Sequence, residues 1–382
     1  MNITKGKLID WGQQLSLLTA VTVLFLYFGV NASDNIASLG IESGFDFLHE
    51  RAGYDITFSL IEYTQDDTYL RAYWVGVLNT LLVSFLSIVL ATVLGFIIGI
   101  GRVSSNWLIS RLTRAFVEVV RNVPLVVQLI WWYALFLALP PVRQSISFGE
   151  HFYLSNRGLA LPQVTFNGWG ATLFVVFALS VVIALIYRRV ISGRAQWKGF
   201  YPVLWPRMLA IVFFPGACLL TFLLVKDVGS ISYPELKGFN FRGGFTVIPE
   251  LVALWLALSV YSASYIAEIV RGCIQSVPTG QHEAAKALGF PASRLMWSII
   301  VPQAVYPMVP QITSVYLNII KNSSLGVVIG FMELVSSTGG TTLNNTGQAI
   351  ECIVIVMATY CTFSLITSLL MNWYNAHVAI GK

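Results

Sequence analysis

Eight runs of apolar residues, each about as long as a lipid bilayer is thick, constrain this chain more than any other feature. They lie at 12–30, 72–101, 115–139, 169–187, 207–226, 248–270, 304–330 and 350–372. A helix needs about 20 residues to cross the hydrocarbon layer, and each run meets that need with ragged ends. The rest of the composition agrees. Only 11% of the 382 residues are charged and 56% are hydrophobic, whereas a soluble domain carries about 25% charged residues. The chain is therefore expected to be an all-α integral membrane protein. Ordinary cytosolic enzymes, disordered chains and secreted disulfide domains are excluded. Pro124, Pro215, Pro307 and Pro310 fall in or near the runs, a placement that bundled membrane helices tolerate because neighbours satisfy the freed backbone groups.

The 23 Lys and Arg residues set an orientation. With the N-terminus inside, 15 of them fall on the inside, 7 outside, and Lys321 within a run. Both termini are expected in the cytoplasm. The apolar run after Lys5 and Lys7 ends at Val30-Asn31-Ala32, which has the form of a signal-peptidase site. We read it as an uncleaved first span. The outside segment 31–70 holds Asp34, Glu42, Asp46, Glu50, Asp55, Glu62, Asp66 and Asp67 against Arg51. It is either a plain solvated loop or a docking surface for an external partner.

No local chemistry is visible. Cys218, Cys273, Cys352 and Cys361 form no C-x-x-C pair, His49, His151, His282 and His377 are scattered, and there is no phosphate loop, H-E-x-x-H or G-x-S-x-G. No catalytic residue, metal site or nucleic-acid-binding feature is expected. The free cysteines read as small buried hydrophobes.

The segment 271–303, RGCIQSVPTGQHEAAKALGFPASRLMWSIIVPQ, is too polar to span and too patterned for a linker. Pro278-Thr279-Gly280 is a break. Gln281 to Leu288 reads as a short helix of good formers, ended by Gly289. Pro291-Ala292-Ser293 starts a second short helix through Trp297. Glu283, Ala284, Ala285, Gly289, Ile299 and Pro302 stand in the spacing of the EAA loop, E-A-A-x3-G-x9-I-x-L-P, with Val301 for Leu. The chain thus resembles the permeases of ABC importers.

Flanking runs narrow the resemblance to polar and general L-amino-acid permeases. RNVPLVVQL at 121–129 resembles their R-G-T-P-L-L-V-Q-L, with Asn122 for the usual Gly. SYIAEIVRG at 264–272 resembles A-Y-x-A-E-I-x-R-G, and YLNIIKNSSL at 316–325 resembles Y-L-N-x-I-K-N-S-S-L. The resemblance implies a type I importer five-helix core within about eight transmembrane helices. The core would lie at 72–140 and 247–382, with the coupling loop at 272–303. An extra span and acidic periplasmic loop occupy 1–71, and a two-span insert occupies 141–246. The implied assembly contains a second related permease in a heterodimer, two ATPase subunits that bind Mg-ATP, and a periplasmic solute-binding protein, all in a bacterial inner membrane. This chain itself needs no cofactor. The sequence alone leaves homodimer and heterodimer open.

The resemblance makes Gln281, Glu283, Ala284, Ala285, Gly289 and Arg294 candidates for contact with the ATPase. Ionisable residues within spans are costly and usually functional. Glu118 and Arg121, like Glu268 and Arg271, are three residues apart and can share a helix face. They read as structural ion pairs beside the coupling loop. An amino acid is a zwitterion, so its site needs donors and acceptors together. Lys321 with Asn322 and Ser324 could take the carboxylate and Glu268 the amino group. Asn79, Thr80, Ser262, Ser264, Asn318 and Ser323 could line the path. Alternatively these polar groups hold helices together. A secondary amino-acid transporter or channel is the competing function, and a membrane enzyme a third. Neither requires the coupling bracket.

Overall fold

The computed structural model describes residues 5–38, 44–149, 151–166, 229–238 and 240–379. The chain divides into two compact units, one of Met1–Ala134 with Glu250–Lys382, the other of Leu135–Pro249. The expected spans 169–187 and 207–226 lie outside the described residues.

The first unit is helical. Its elements are α1 (Lys5–Ser38), α2 (Tyr69–Arg102), α3 (Trp107–Asn122), α4 (Leu125–Leu137), α5 (Pro249–Gln275), α6 (Thr279–Ala287), α7 (Ala292–Leu295), α8 (Val301–Asn322), α9 (Leu343–Thr346) and α10 (Ala349–Ala379). Five stretches among the described residues are long and apolar enough to cross a membrane: Gly12–Asn31, Tyr69–Arg102, Pro249–Gln275, Ala292–Ile329 and Ala349–Ala376. They correspond to the first, second, sixth, seventh and eighth apolar runs.

The third run, 115–139, is not one straight span. It is the pair α3 and α4, bent by 103°. Pro124 disfavours helical backbone at the residue before it, and Val123 is extended at φ −95°, ψ 126°. Pro124 also lacks the N–H that would reach the Val120 carbonyl. Gln128 supplies the missing donor. Its Nε2 donates to Val120 O at 2.8 Å and to Val123 O at 2.9 Å. At the other end, Asn106 caps α3 by accepting from the N–H of Leu108 and Ile109.

α2 and α5 approach until backbone meets side chain. A Cβ on Gly95 would sit 2.6 Å from Ile266 Cβ, and one on Gly99 would sit 2.7 Å from Val270 Cβ. Ala91, Gly95 and Gly99 recur every fourth residue, the small-residue spacing that lets membrane helices pack closely. Around this contact, Ala91, Ile266, Val270, Ile274, Ala285, Leu295, Ile300 and Met308 form one buried cluster. It joins α2, α5, α6, α7 and α8.

A second cluster, of Phe47, Ala52, Ile56, Tyr69, Ala72, Val75 and Cys352, seats the segment 44–68 against α2 and α10. The acidic segment is therefore ordered along this stretch, with an apolar underside. Asp46, Glu50, Asp55, Glu62 and Asp66 point away as exposed groups.

Among the described residues, the second unit contains eight short strands that the sequence reading did not anticipate. β1 (Ile146–Ser147), β2 (Tyr153–Ser155), β3 (Gly158–Leu161) and β8 (Phe245–Val247) form a four-stranded antiparallel sheet in that order. β4 (Gln163–Phe166) pairs with β5 (Gly229–Ser232), and β6 (Glu235–Lys237) pairs with β7 (Asn240–Arg242).

Candidate functional site

The bracket between α5 and α8 begins where α5 ends at Gln275 and Val277 turns into the core. α6 follows. Ala285 is its buried residue, while Gln281, Glu283, Ala284 and Lys286 are exposed. The helix stops in a Schellman arrangement. Phe290 N–H donates to Ala285 O at 3.1 Å and Gly289 N–H to Lys286 O at 2.9 Å. This turn holds Gly289 at φ +75°, where a side chain is strained although nothing lies within 4 Å of its Cβ position. Leu288, beside it, is 77% exposed, as is much of Trp297.

The second short helix is not a separate element. α7, with Arg294 exposed and Leu295 buried, runs on through a π-helical turn at Met296–Ile300 into α8. Pro302 has no N–H to give, and the wider turn absorbs that loss: Val301 N–H donates to Met296 O, five residues back. Thus the chain passes from α6 to the long helix through the tight turn at Gly289 to Pro291, and Ala285 packs α6 into the cluster that the long helix shares.

The ends of α2 and α5 nearest this bracket meet through charge. Glu268 of α5 bridges Arg102 of α2 and Arg271 of its own helix. Arg271 also bonds Gln275. The expected pairing of Glu268 with Arg271 is present, with Arg102 as an added partner. Arg102 is the only charged residue in the second half of α2, a signal the sequence reading passed over.

Glu118 and Arg121 do not pair. Arg121 instead lies over the Tyr265 ring, 4.9 Å from its centre, and Tyr265 shares a 2.9 Å hydroxyl bond with Tyr261. Arg102, Glu118, Arg121, Tyr265 and Glu268 line a cleft of about 450 Å³. A second cleft of about 520 Å³, lined by Glu268, Cys273, Pro307 and Gln311 among others, also has Glu268 on its wall.

The remaining polar candidates separate into two sets. One is turned inward. Asn79 Nδ2 donates to Phe58 O and Met332 O, both at 2.9 Å, and Thr80 Oγ1 accepts from Leu334 N–H at 3.1 Å. Ser264 Oγ donates to Tyr261 O and Ser323 Oγ to Ile320 O, and Ser262 is buried beside them in sequence. The other set faces outward on α8. Asn318 and Lys321 are exposed, in line with exposed Gln303, Tyr306 and Ser314 at helical spacing. Asn322 is half-buried, and Ser324 donates to the Lys321 carbonyl at 2.7 Å.

Sequence reasoning missed Glu333, in the link between α8 and α9. It is fully buried. Its carboxylate accepts the N–H of Val335 and of Ser336, each at 2.8 Å, and the Tyr360 hydroxyl at 3.2 Å. Burial pushes its pKa up to about 7 against these donors.

Comparison with known proteins adds an independent line. A family described as "Binding-protein-dependent transport system inner membrane component" matches residues 91–380. The chain is 45% identical over 378 residues to the putative amino-acid ABC transporter permease protein YhdX of Escherichia coli (strain K12), covering 97% of this chain and 94% of that one. It is 44% identical over 353 residues to the general L-amino acid transport system permease protein AapQ of Rhizobium johnstonii, covering 92% and 87%. It is 37% identical over 384 residues to the glutamate/glutamine/aspartate/asparagine transport system permease protein BztB of Rhodobacter capsulatus, covering 92% and 89%.

Proposed function

The chain belongs to the family of binding-protein-dependent transport system inner membrane components, and on that premise we propose that it carries L-amino acids. It is a multi-pass permease subunit of an ABC importer rather than an enzyme or a self-contained carrier. The amino-acid assignment rests on the functions by which three relatives are named, each aligned over most of its length.

Work is done on this subunit from outside it. The partners are two ATPase subunits holding Mg-ATP, a periplasmic solute-binding protein and a second related permease that completes the pathway as a heterodimer. Both termini lie in the cytoplasm. The single observation that carries the coupling role is the construction of α6. Gln281, Glu283, Ala284 and the neighbouring Leu288 are exposed and open to a partner, while Ala285 is buried in the cluster shared by α2, α5 and α8. A push on α6 therefore reaches the spans directly, and a rigid-body rocking of the spans alternates access. Gly289 and Arg294 frame the same surface.

The amino acid passes along the outward face of α8. Asn318, Lys321 and Asn322 offer donors to its carboxylate, and Ser324 joins them once its hydroxyl turns from the Lys321 carbonyl. Glu268 receives the ammonium at the bracket end when the Arg102 and Arg271 contacts loosen. Asn79, Thr80, Ser264 and Ser323 keep the surrounding backbone in place, and Ser262 is buried on α5.

The test is copurification. Tagged chain expressed with its neighbouring transporter subunits retains an ATPase, and amino acid stimulates hydrolysis when the binding protein is added. Replacing Glu283 by Lys removes the ATPase while the chain stays in the membrane. An ATPase retained by that variant, or amino-acid uptake by the chain alone, would overturn the reading.

A further inference from the structure

The 16 residues of α3 divide into three faces: one packs on α2, one is apolar and exposed, and one is charged and touches the protein only at its C-terminal end, through Arg121 on Tyr265. The packed face is Ser110, Thr113, Val117 and Val120, which are half-buried or buried. Ser110 Oγ donates to Arg102 O, and Thr113 sits against Gly101. About 150° around the helix, Leu108, Leu112, Ala115 and Val119 form an exposed apolar stripe, with Leu112 and Val119 more than 60% exposed. The third face carries Arg111, Arg114, Glu118 and Arg121. Arg111 and Arg114 have no ion-pair partner among the described residues, and Trp107, 71% exposed, stands at the start.

Direction completes the picture. α3 is turned 103° from the apolar helix α4. It touches α2 at Gly101 and Arg102 and reaches α5 through Arg121 on Tyr265. A helix turned nearly perpendicular to its apolar neighbour, and laid against the end of α2, has the direction of one that runs along the bilayer surface. An apolar stripe beside a basic one, with a tryptophan at the edge, is the pattern of a helix seated at the headgroup level.

We propose that α3 lies in the membrane surface instead of crossing it, and that Arg111 and Arg114 bind the headgroup phosphates of anionic phospholipid. Leu108, Leu112, Ala115 and Val119 enter the acyl region. The packed face holds α3 to α2, so the lipid contact fixes the depth of the whole cleft lined by Arg102, Glu118 and Arg121. Charge complementarity selects the occupant. Two guanidiniums unpaired among the described residues, beside an exposed apolar stripe, match a phosphate above an acyl chain.

The experiment uses the complete transporter in lipid nanodiscs. Spin labels at Leu108 and Val119, in a chain with its native cysteines replaced, report depth by their accessibility to oxygen and to a water-soluble nickel chelate. Both labels are expected to be open to oxygen and at similar depth. A spanning α3 would set them roughly 16 Å apart, which overturns the proposal. Exclusion of both probes from both labels, as under a protein partner, also overturns it. Separately, native mass spectrometry in mixed phosphatidylglycerol and phosphatidylcholine compares the parent chain with Arg111→Gln/Arg114→Gln. Selective retention of phosphatidylglycerol is expected to fall about tenfold in the variant. Unchanged retention would remove the headgroup site.

Discussion

Glu333 places a carboxylate in the protein interior with no cation within ion-pair distance among the described residues. Three donors partly offset its desolvation, yet the pKa stands at about 7 against an ordinary 4.5. The folded chain thus holds this proton more tightly than the unfolded chain does. That advantage is complete below pH 4.5 and is lost as pH rises to about 7, by on the order of 3 kcal/mol. The apparent melting temperature of detergent-purified protein should fall across that window. Glu333→Gln, which keeps an acceptor oxygen, should flatten the slope; an unchanged slope would assign it to another group. Lys321 offers the opposite case. It is exposed, so Lys321→Ala should change stability by no more than about 0.5 kcal/mol. Reconstituted uptake should nevertheless drop at least tenfold in rate or affinity. Normal uptake would remove Lys321 from the pathway.

Two turns decide how the elements are aimed, and they differ in how they are held. Gly289 ends α6 through its backbone alone, because no neighbour occupies the space a Cβ would take. Gly289→Ala should therefore cost about 1–2 kcal/mol of left-handed strain without a clash. Gly289→Arg adds bulk at the surface proposed to meet the ATPase. It should leave the chain in the membrane but separate ATP hydrolysis from uptake, measured as amino acid moved per ATP. Coupling retained by Gly289→Arg would contradict the role of α6. The bend at Val123-Pro124 is held by a side chain instead. Gln128→Ala strips two bonds and leaves the Val120 and Val123 carbonyls unmet, at about 1–3 kcal/mol. Thermal unfolding should register the loss, and an unshifted melting temperature would show that water fills the place.

These elements also mark what the letters could carry. The helix Gln281 to Leu288 and the stop at Gly289 are legible because good helix formers and a glycine suffice to specify them. The continuity of α7 with α8 is not, since Pro291 and Pro302 read as breaks and only a π turn reconciles them. The joining of Arg102 to Glu268 spans 166 residues, a distance over which no spacing rule operates.

At the scale of the molecule, the apolar runs identify a membrane protein because burial in lipid demands length above all. The strands of the second unit escape that reading. They are two to four residues long, too short for alternation to emerge. Within the first unit, α2 and α5 are in contact at backbone distance. Replacing Gly95 by Leu should force the pair apart and cost about 3 kcal/mol or more. The variant should lose uptake while α6 still binds the ATPase. Full uptake would mean the contact can be relaxed. The same contact has a mechanical consequence. Ile266 and Val270 sit in notches cut by Gly95 and Gly99, so a slide of one helix along the other would drive a branched side chain onto a neighbouring peptide. The two can tilt only as a single plank, keyed along its length, and the stroke of this pump must be sought at the seams between that plank and the rest.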